Sequence, residues 1–213
     1  MYLLEGSSHP QSLTDRLQTS NSFFQAQRSP VLLSQTLDAA CNANFTACSA
    51  LMSSLATDIK KDSNCGADLE MQNPMVQQAY NGFLAYDTLF QAGCLTGSEG
   101  DYCFSNAVSN ASAPTSGYIY YLPLGVQLPA GTRPACNTCL RDTMQIYAQA
   151  AANNTLPVSD EYTDAAQMID MTCGPSYTAE VTQHTNAAST AVPHPLGASS
   201  LILLASVLGY WIV

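Results

Sequence analysis

The chain has 213 residues, of which 46% are hydrophobic and only 10% charged, with a formal net charge of −10. That length suits one domain with tails, and the apolar fraction suffices for a buried core. Its six basic residues are adjacent only at Lys60–Lys61, which excludes a cationic surface for nucleic acid or anionic headgroups.

Residues 1–29 form a polar N-terminal segment that turns apolar only at Phe23–Phe24. It has neither the apolar core nor the basic start of a secretory signal, so a true start upstream of Met1 is expected. A helix is predicted from Ser29–Pro30 through Val31, Leu32, Gln35 and Leu37 to Cys41, interrupted by residues 42–44. A second carries Cys48, Leu51, Met52, Leu55 and Ile59 at three- and four-residue spacing, with Lys60 and Lys61 in its last turn. Asn73–Pro74 is a helix start, with Asn as the cap and Pro in the first turn. The face then runs Val76, Tyr80, Phe83, Tyr86 or Asp87, and Phe90, ending at Gly93. Asp101 is expected to cap a short helix through Phe104 and Val108, ended by Ala113–Pro114.

Tyr118 to Pro129 is aromatic and β-prone, and Pro123 interrupts it, so a short extended or hairpin segment near 118–128 is predicted. Pro134 then opens a helix with Cys136, Leu140, Met144 and Tyr147 on one face. Ser159 caps the last helix, whose first turn holds Asp160 and Glu161 and whose inner face holds Tyr162, Ala166, Ile169 and Cys173. Gly174–Pro175 stops it. The fold class is therefore mainly α, a disulfide-stabilised helical domain over 30–178, followed by a Thr/Ala/Pro stalk at 179–198.

Residues 199–213 are an apolar tail. Leu201 to Val213 spans 13 residues, about 20 Å of helix at ~1.5 Å per residue against a ~30 Å hydrocarbon core, and no basic residue follows it. Small residues, a polar spacer and a short apolar tail make a signal for a glycosylphosphatidylinositol (GPI) anchor. Asn186, at the head of Asn186–Ala187–Ala188, is the expected attachment site, and Ser189 is the alternative. Pro193 and Pro195 keep the spacer from becoming helical.

The cysteines are Cys41, Cys48, Cys65, Cys94, Cys103, Cys136, Cys139 and Cys173. An even number is what four disulfides require, and the 105 connectivities leave the pairing open. Cys94 with Cys103 is favoured, since it would close a short Gly-containing loop. Zinc is disfavoured: Cys136-x-x-Cys139 is a single pair, with no His within ~40 residues. Three Asn-x-Ser/Thr triplets, at Asn44, Asn110 and Asn153, read as N-glycosylation sites.

His9, His184 and His194 all lie in the tails, so residues 30–178 lack the imidazole of Ser-His-Asp, Cys-His or His-metal chemistry. No dinucleotide or phosphate-loop fingerprint occurs, and no cofactor is expected. Carboxylates at Asp68, Glu70, Asp87, Asp101, Asp142, Asp160, Glu161 and Asp164 read as caps and solvated faces rather than a glycosidase pair. Met71/Met75 and Met168/Met171 stand at helical spacing and read as core packing before copper ligation. Tyr118, Tyr120 and Tyr121 read as packing against helices before a sugar-stacking platform.

Eight short elements recur as a set: Ser-Asn-Ser-Phe-Phe (20–24), Leu-x-x-Thr-Leu-Asp-Ala-Ala-Cys (33–41), Asn-Pro-Met-Val (73–76), Ala-Gly-Cys-Leu (92–95), Tyr-Cys-Phe (102–104), Tyr-Tyr-Leu-Pro-Leu-Gly (120–125), Cys-Asn-Thr-Cys (136–139) and Thr-Cys-Gly-Pro (172–175). Over residues 20–178 they resemble a family of fungal secreted, cysteine-rich proteins of unknown function, many with GPI signals. The resemblance implies a fungal cell surface and brings no catalytic residue. It also implies a signal peptide and a further cysteine-containing segment upstream, from which this chain departs. The expectation is an extracellular, GPI-anchored plasma-membrane or cell-wall protein with a structural or interaction role. Its partners would be the membrane, through the lipid anchor, and wall glycans or surface proteins. A lipid- or sterol-binding module is the alternative, and a wall glycan hydrolase or transglycosidase the second.

Overall fold

The computed structural model of the chain describes residues 25–181, which form helices and connecting turns, with no strand among them. In chain order they are α1 (Pro30–Cys41), α2 (Phe45–Asp58), α3 (Gly66–Glu70), α4 (Pro74–Gly93), α5 (Cys103–Ser109), the 3₁₀ helix η1 (Ser116–Leu124), α6 (Thr138–Ala151) and α7 (Val158–Cys173). No described helix is long and apolar enough to cross a membrane. The N-terminal residues 1–24, the three histidines, Asn186, Ser189 and the apolar tail lie outside the described residues.

Four helices start on an asparagine or serine that accepts from the first turn. Ser29 accepts from Leu32 N, Asn44 from Ala47 N, Asn73 from Met75 N and Asn137 from Leu140 N. Each satisfies one of the amide donors that a helix start leaves open. The start at Asn137 corrects the expected opening at Pro134: Cys136 lies before the helix, in extended chain. Two other caps also differ. Helix α5 begins after Tyr102 rather than Asp101, and neither it nor α7, which follows Pro157, has a side-chain cap. Ser159 instead donates to the carbonyl of Leu156 at 2.7 Å.

The extended segment expected near 118–128 is a 3₁₀ helix over most of its length. No neighbouring strand pairs with it, so its backbone must satisfy itself locally, and i→i+3 turns do that. It lies against α4, α5 and α7, with Ile119, Tyr120, Leu122, Pro123 and Leu124 buried. Gly125, at φ 75°, ends it. A Cβ there would come within 3.0 Å of Pro157 Cβ, so both conformation and space require glycine.

One apolar core gathers the inner faces of α1, α4, α5, η1, α6 and α7, centred on Leu37, Leu89, Leu122, Met144, Tyr147 and Ile169. On α7 the buried residues Val158, Tyr162, Ala165 and Ile169 recur at four, three and four, a single helical stripe. A smaller core joins α2 to α4 through Cys48, Met52 and Tyr86, flanked by Phe45, Phe83 and Phe90. On α1 it is Leu33 and Leu37 that point inward, while Val31 and Leu32 are exposed. Met71, Met75 and Met171 are also exposed, at 73, 68 and 82%, which corrects the core role expected for them.

Three disulfides form: Cys41–Cys94, Cys103–Cys139 and Cys136–Cys173. The expected Cys94–Cys103 pair does not. Those two flank a turn closed by an antiparallel bridge between Thr96 and Tyr102, and each bonds outward to another helix. Cys136 and Cys139 do the same, so the three bridges run in series and lace α1 to the end of α4, α5 to α6, and the chain just before α6 to the end of α7. Cys48 and Cys65 are free, in place of the expected fourth bridge.

The geometry explains why. Cys48 is in the first turn of α2, whereas Cys65 precedes Gly66 at its far end. A Cβ on Gly66 would stand 2.7 Å from the carbonyl oxygen of Lys60. The ten residues of α2 beyond Cys48 rise ~15 Å, far beyond the ~7 Å Cα limit for a bridge.

Candidate functional site

No constellation of three or more His, Cys, Asp or Glu able to hold a metal occurs among the described residues. Several carboxylates are committed to the scaffold. Asp38 accepts from the Tyr102 hydroxyl at 2.8 Å, and Asp87 from Ser49 Oγ at 3.0 Å. Asp170 accepts from both the amide and the hydroxyl of Thr178, at 2.9 Å each. Asp58 pairs with Lys61 at 2.5 Å on an exposed face. Helix α2 ends at Asp58 with no basic residue in its last turn, which corrects the place expected for Lys60 and Lys61; Lys60 lies beyond the helix end, over the Tyr80 ring at 5.6 Å.

The residues after α7 fold back on the helices. Tyr177 donates to the Asn137 carbonyl at 2.5 Å, its ring stacks beneath Arg141, and the Tyr162 hydroxyl donates to the Ala179 carbonyl. The chain is thus held down through Ala179.

The three glycosylation triplets share a local geometry. Asn44 caps α2 through Oδ1. Asn110 Oδ1 accepts from the amides of Ser112 and Ala113. Asn153 Oδ1 accepts from the amide and hydroxyl of Thr155. Each uses the carbonyl oxygen for its turn, not the nitrogen that would carry a glycan. Asn44 and Asn153 are exposed, whereas Asn110 is half-buried beside a cleft.

That cleft measures ≈ 20 Å³, about one water, and lies where the Cys103–Cys139 bridge meets Ser116, Tyr120, Asn137 and Thr143. A second, of ≈ 130 Å³, opens at the surface between Gln27, Phe104, Val108, Pro114, Gly117, Tyr118 and Tyr121. Here the three tyrosines of η1 divide. Tyr120 is buried edge-on against Phe104, ring centres 4.7 Å apart, and burial pushes its phenol up to about 12. Tyr118 is 44% exposed, and Tyr121 is half-buried, with Gln27 in the same lining. Three residues per 3₁₀ turn put Tyr118 and Tyr121 on the same outer face. Sequence reasoning grouped all three because it assumed a strand; a period-three reading would have separated them.

The free thiols differ in the same sense. Cys48 is buried in the small aromatic core, packed with Met52 and Tyr86. Cys65 is half-exposed beside exposed residues 61–64. With no reductant, maleimide should add promptly to Cys65, and to Cys48 only on unfolding, for two labels per chain by mass. No label after unfolding would mean a fourth bridge and a different packing of α2 and α3.

A family described as a domain of unknown function (DUF7729) matches residues 7–182. No curated protein and no solved structure matches the chain.

Proposed function

We propose that this chain, which belongs to the DUF7729 family, is the ectodomain of a GPI-anchored cell-surface protein with a structural or interaction role. The observation that carries this is the series of three disulfides, because such bridges form and persist in oxidising, extracytoplasmic compartments. The glycosylation triplets, with two exposed asparagines, point the same way, as does the apolar run that follows small residues and a polar spacer. The setting, a fungal plasma membrane or wall, rests on the resemblance of the sequence elements.

The lipid-carrier reading draws no support from the clefts, since ≈ 20 and ≈ 130 Å³ fall short of the ~300 Å³ at which small-molecule pockets begin. A glycan hydrolase needs two carboxylates facing one cleft. Neither cleft is lined by an Asp or Glu.

In intact cells expressing the protein, phosphatidylinositol-specific phospholipase C should release it into the medium. Retention in the membrane, while a known GPI-anchored protein is released in parallel, would overturn the anchor.

A further inference from the structure

We propose that the cleft between Gln27, Tyr118 and Tyr121 is a binding subsite for an uncharged hexose unit of a glycan chain. The assignment rests on the cell-surface reading only for the setting in which such a glycan is met. The cleft itself stands on its own geometry.

Four features select the ligand class. First, none of the seven lining residues is charged, so the site offers no counter-charge to a carboxylate, phosphate or ammonium. Second, Tyr118 and Tyr121 stand one 3₁₀ turn apart, two rings on one face with hydroxyls at their rims. An aromatic face with a polar edge suits a pyranose, which shows C–H groups on its faces and hydroxyls around its circumference. Third, the Gln27 side chain adds an amide donor and acceptor to the same lining, across from Tyr121. Fourth, ≈ 130 Å³ admits one ring-sized group and not a lipid or a drug-sized molecule.

The backing is rigid. Phe104 forms an inner wall and is itself braced by Tyr120. Gly117 brings the backbone close to α5, where a Cβ would lie 3.1 Å from Val108 Cγ1. Tyr118, Tyr121 and Gln27 are therefore the ligand-facing groups, and the other residues hold them in place.

The test uses the purified full chain and isothermal titration with three probes. These are a β-1,3-linked glucose hexasaccharide, an α-1,6-linked mannose hexasaccharide and, as the charged counterpart, a galacturonic acid hexasaccharide. At least one uncharged probe should bind with a millimolar or tighter Kd, and the charged probe should not. Tyr118→Ala, at an exposed position, should weaken that binding about fivefold to tenfold, the range of one lost aromatic contact. Gln27→Ala should weaken it less, with helical content and all three bridges kept in both variants.

The proposal is overturned if neither uncharged hexasaccharide binds, or if binding is unchanged in Tyr118→Ala. Capture of a proline-rich peptide in the cleft, with both sugars ignored, would overturn it equally. None of these outcomes touches phospholipase release, so the subsite and the surface assignment fail separately.

Discussion

Replacing Cys103 and Cys139 together by alanine should cost roughly 4 kcal/mol of stability. The bridge joins residues 36 apart, and a closed loop of that length removes about that much chain entropy from the unfolded state. Because the dependence is logarithmic, Cys41–Cys94, at a separation of 53, should be worth nearly the same. For a chain of this size the loss corresponds to a fall in Tm of about 8–16 °C. Both partners must be changed, since Cys103→Ala alone leaves a half-buried Cys139 thiol three residues from Cys136, able to attack the Cys136–Cys173 bridge. The contrast is Cys65→Ser, which should stay within about 0.5 kcal/mol, as expected of a surface change with no bonded partner. Calorimetry of the two variants side by side decides the matter. A double variant that loses less than about 1 kcal/mol would mean that the bridge closes no entropically costly loop.

The same serial arrangement leaves one part of the fold outside the lacing. The stretch from α2 to α3 lies within the loop closed by Cys41–Cys94 but carries no bridge of its own. It is fastened to α4 by the small core of Cys48, Met52 and Tyr86, while the close backbone approach at Gly66 holds the start of α3 against the chain that leaves α2. Stability is thus graded along the chain, highest where α4 to α7 are cross-linked and lowest in α2–α3.

How much of this was written in the sequence depends on the range of the interaction concerned. Ser29–Pro30, Asn44 and Asn73–Pro74 announce helix starts because a cap is local chemistry, settled within three residues. Gly93 and Gly174 mark ends for the same reason. The mainly helical class follows from those signals and from apolar spacing. The segment Tyr118–Leu124 misleads because its aromatic and branched residues favour strands only when a partner strand exists, and here helices surround it. The disulfide pairing was closed to inspection because it depends on which helices meet. Cys94 and Cys103 are near in sequence, yet each side chain faces a different helix. The cleft was legible in part: its tyrosines were visible as residues, while its second wall, Gln27, lies ~90 positions away and joins them only through tertiary packing.

The buried phenols make a second large effect. Tyr120 and Tyr162 are both pushed up to about 12 by burial, Tyr147 is pushed well above 10, and Tyr86 is raised by burial and by the neighbouring Cys48 thiol. In the unfolded chain the same groups ionise near 10. Above pH 10 the unfolded chain therefore gives up protons that the folded one keeps, and stability falls as pH rises. Below pH 10 the phenols are neutral in both states and their contribution is fully present. For Tyr120 alone, two pH units of difference amount to roughly 2 kcal/mol by pH 12. With several such groups acting together, helical signal should be lost cooperatively between pH 10 and 12. The absorbance of buried tyrosinates should rise with that loss and not before it. Tyr147→Phe sharpens the test, because the Tyr147 hydroxyl has no hydrogen-bond partner among the described residues. Removing it should leave stability at pH 7 unchanged or about 1 kcal/mol higher, since a buried hydroxyl is desolvated without return. The same variant should lose less stability than wild type between pH 10 and 12. Phenol ionisation that runs to completion near pH 10 with the helices intact would show that water reaches these rings, and that the core is not the sealed one described above.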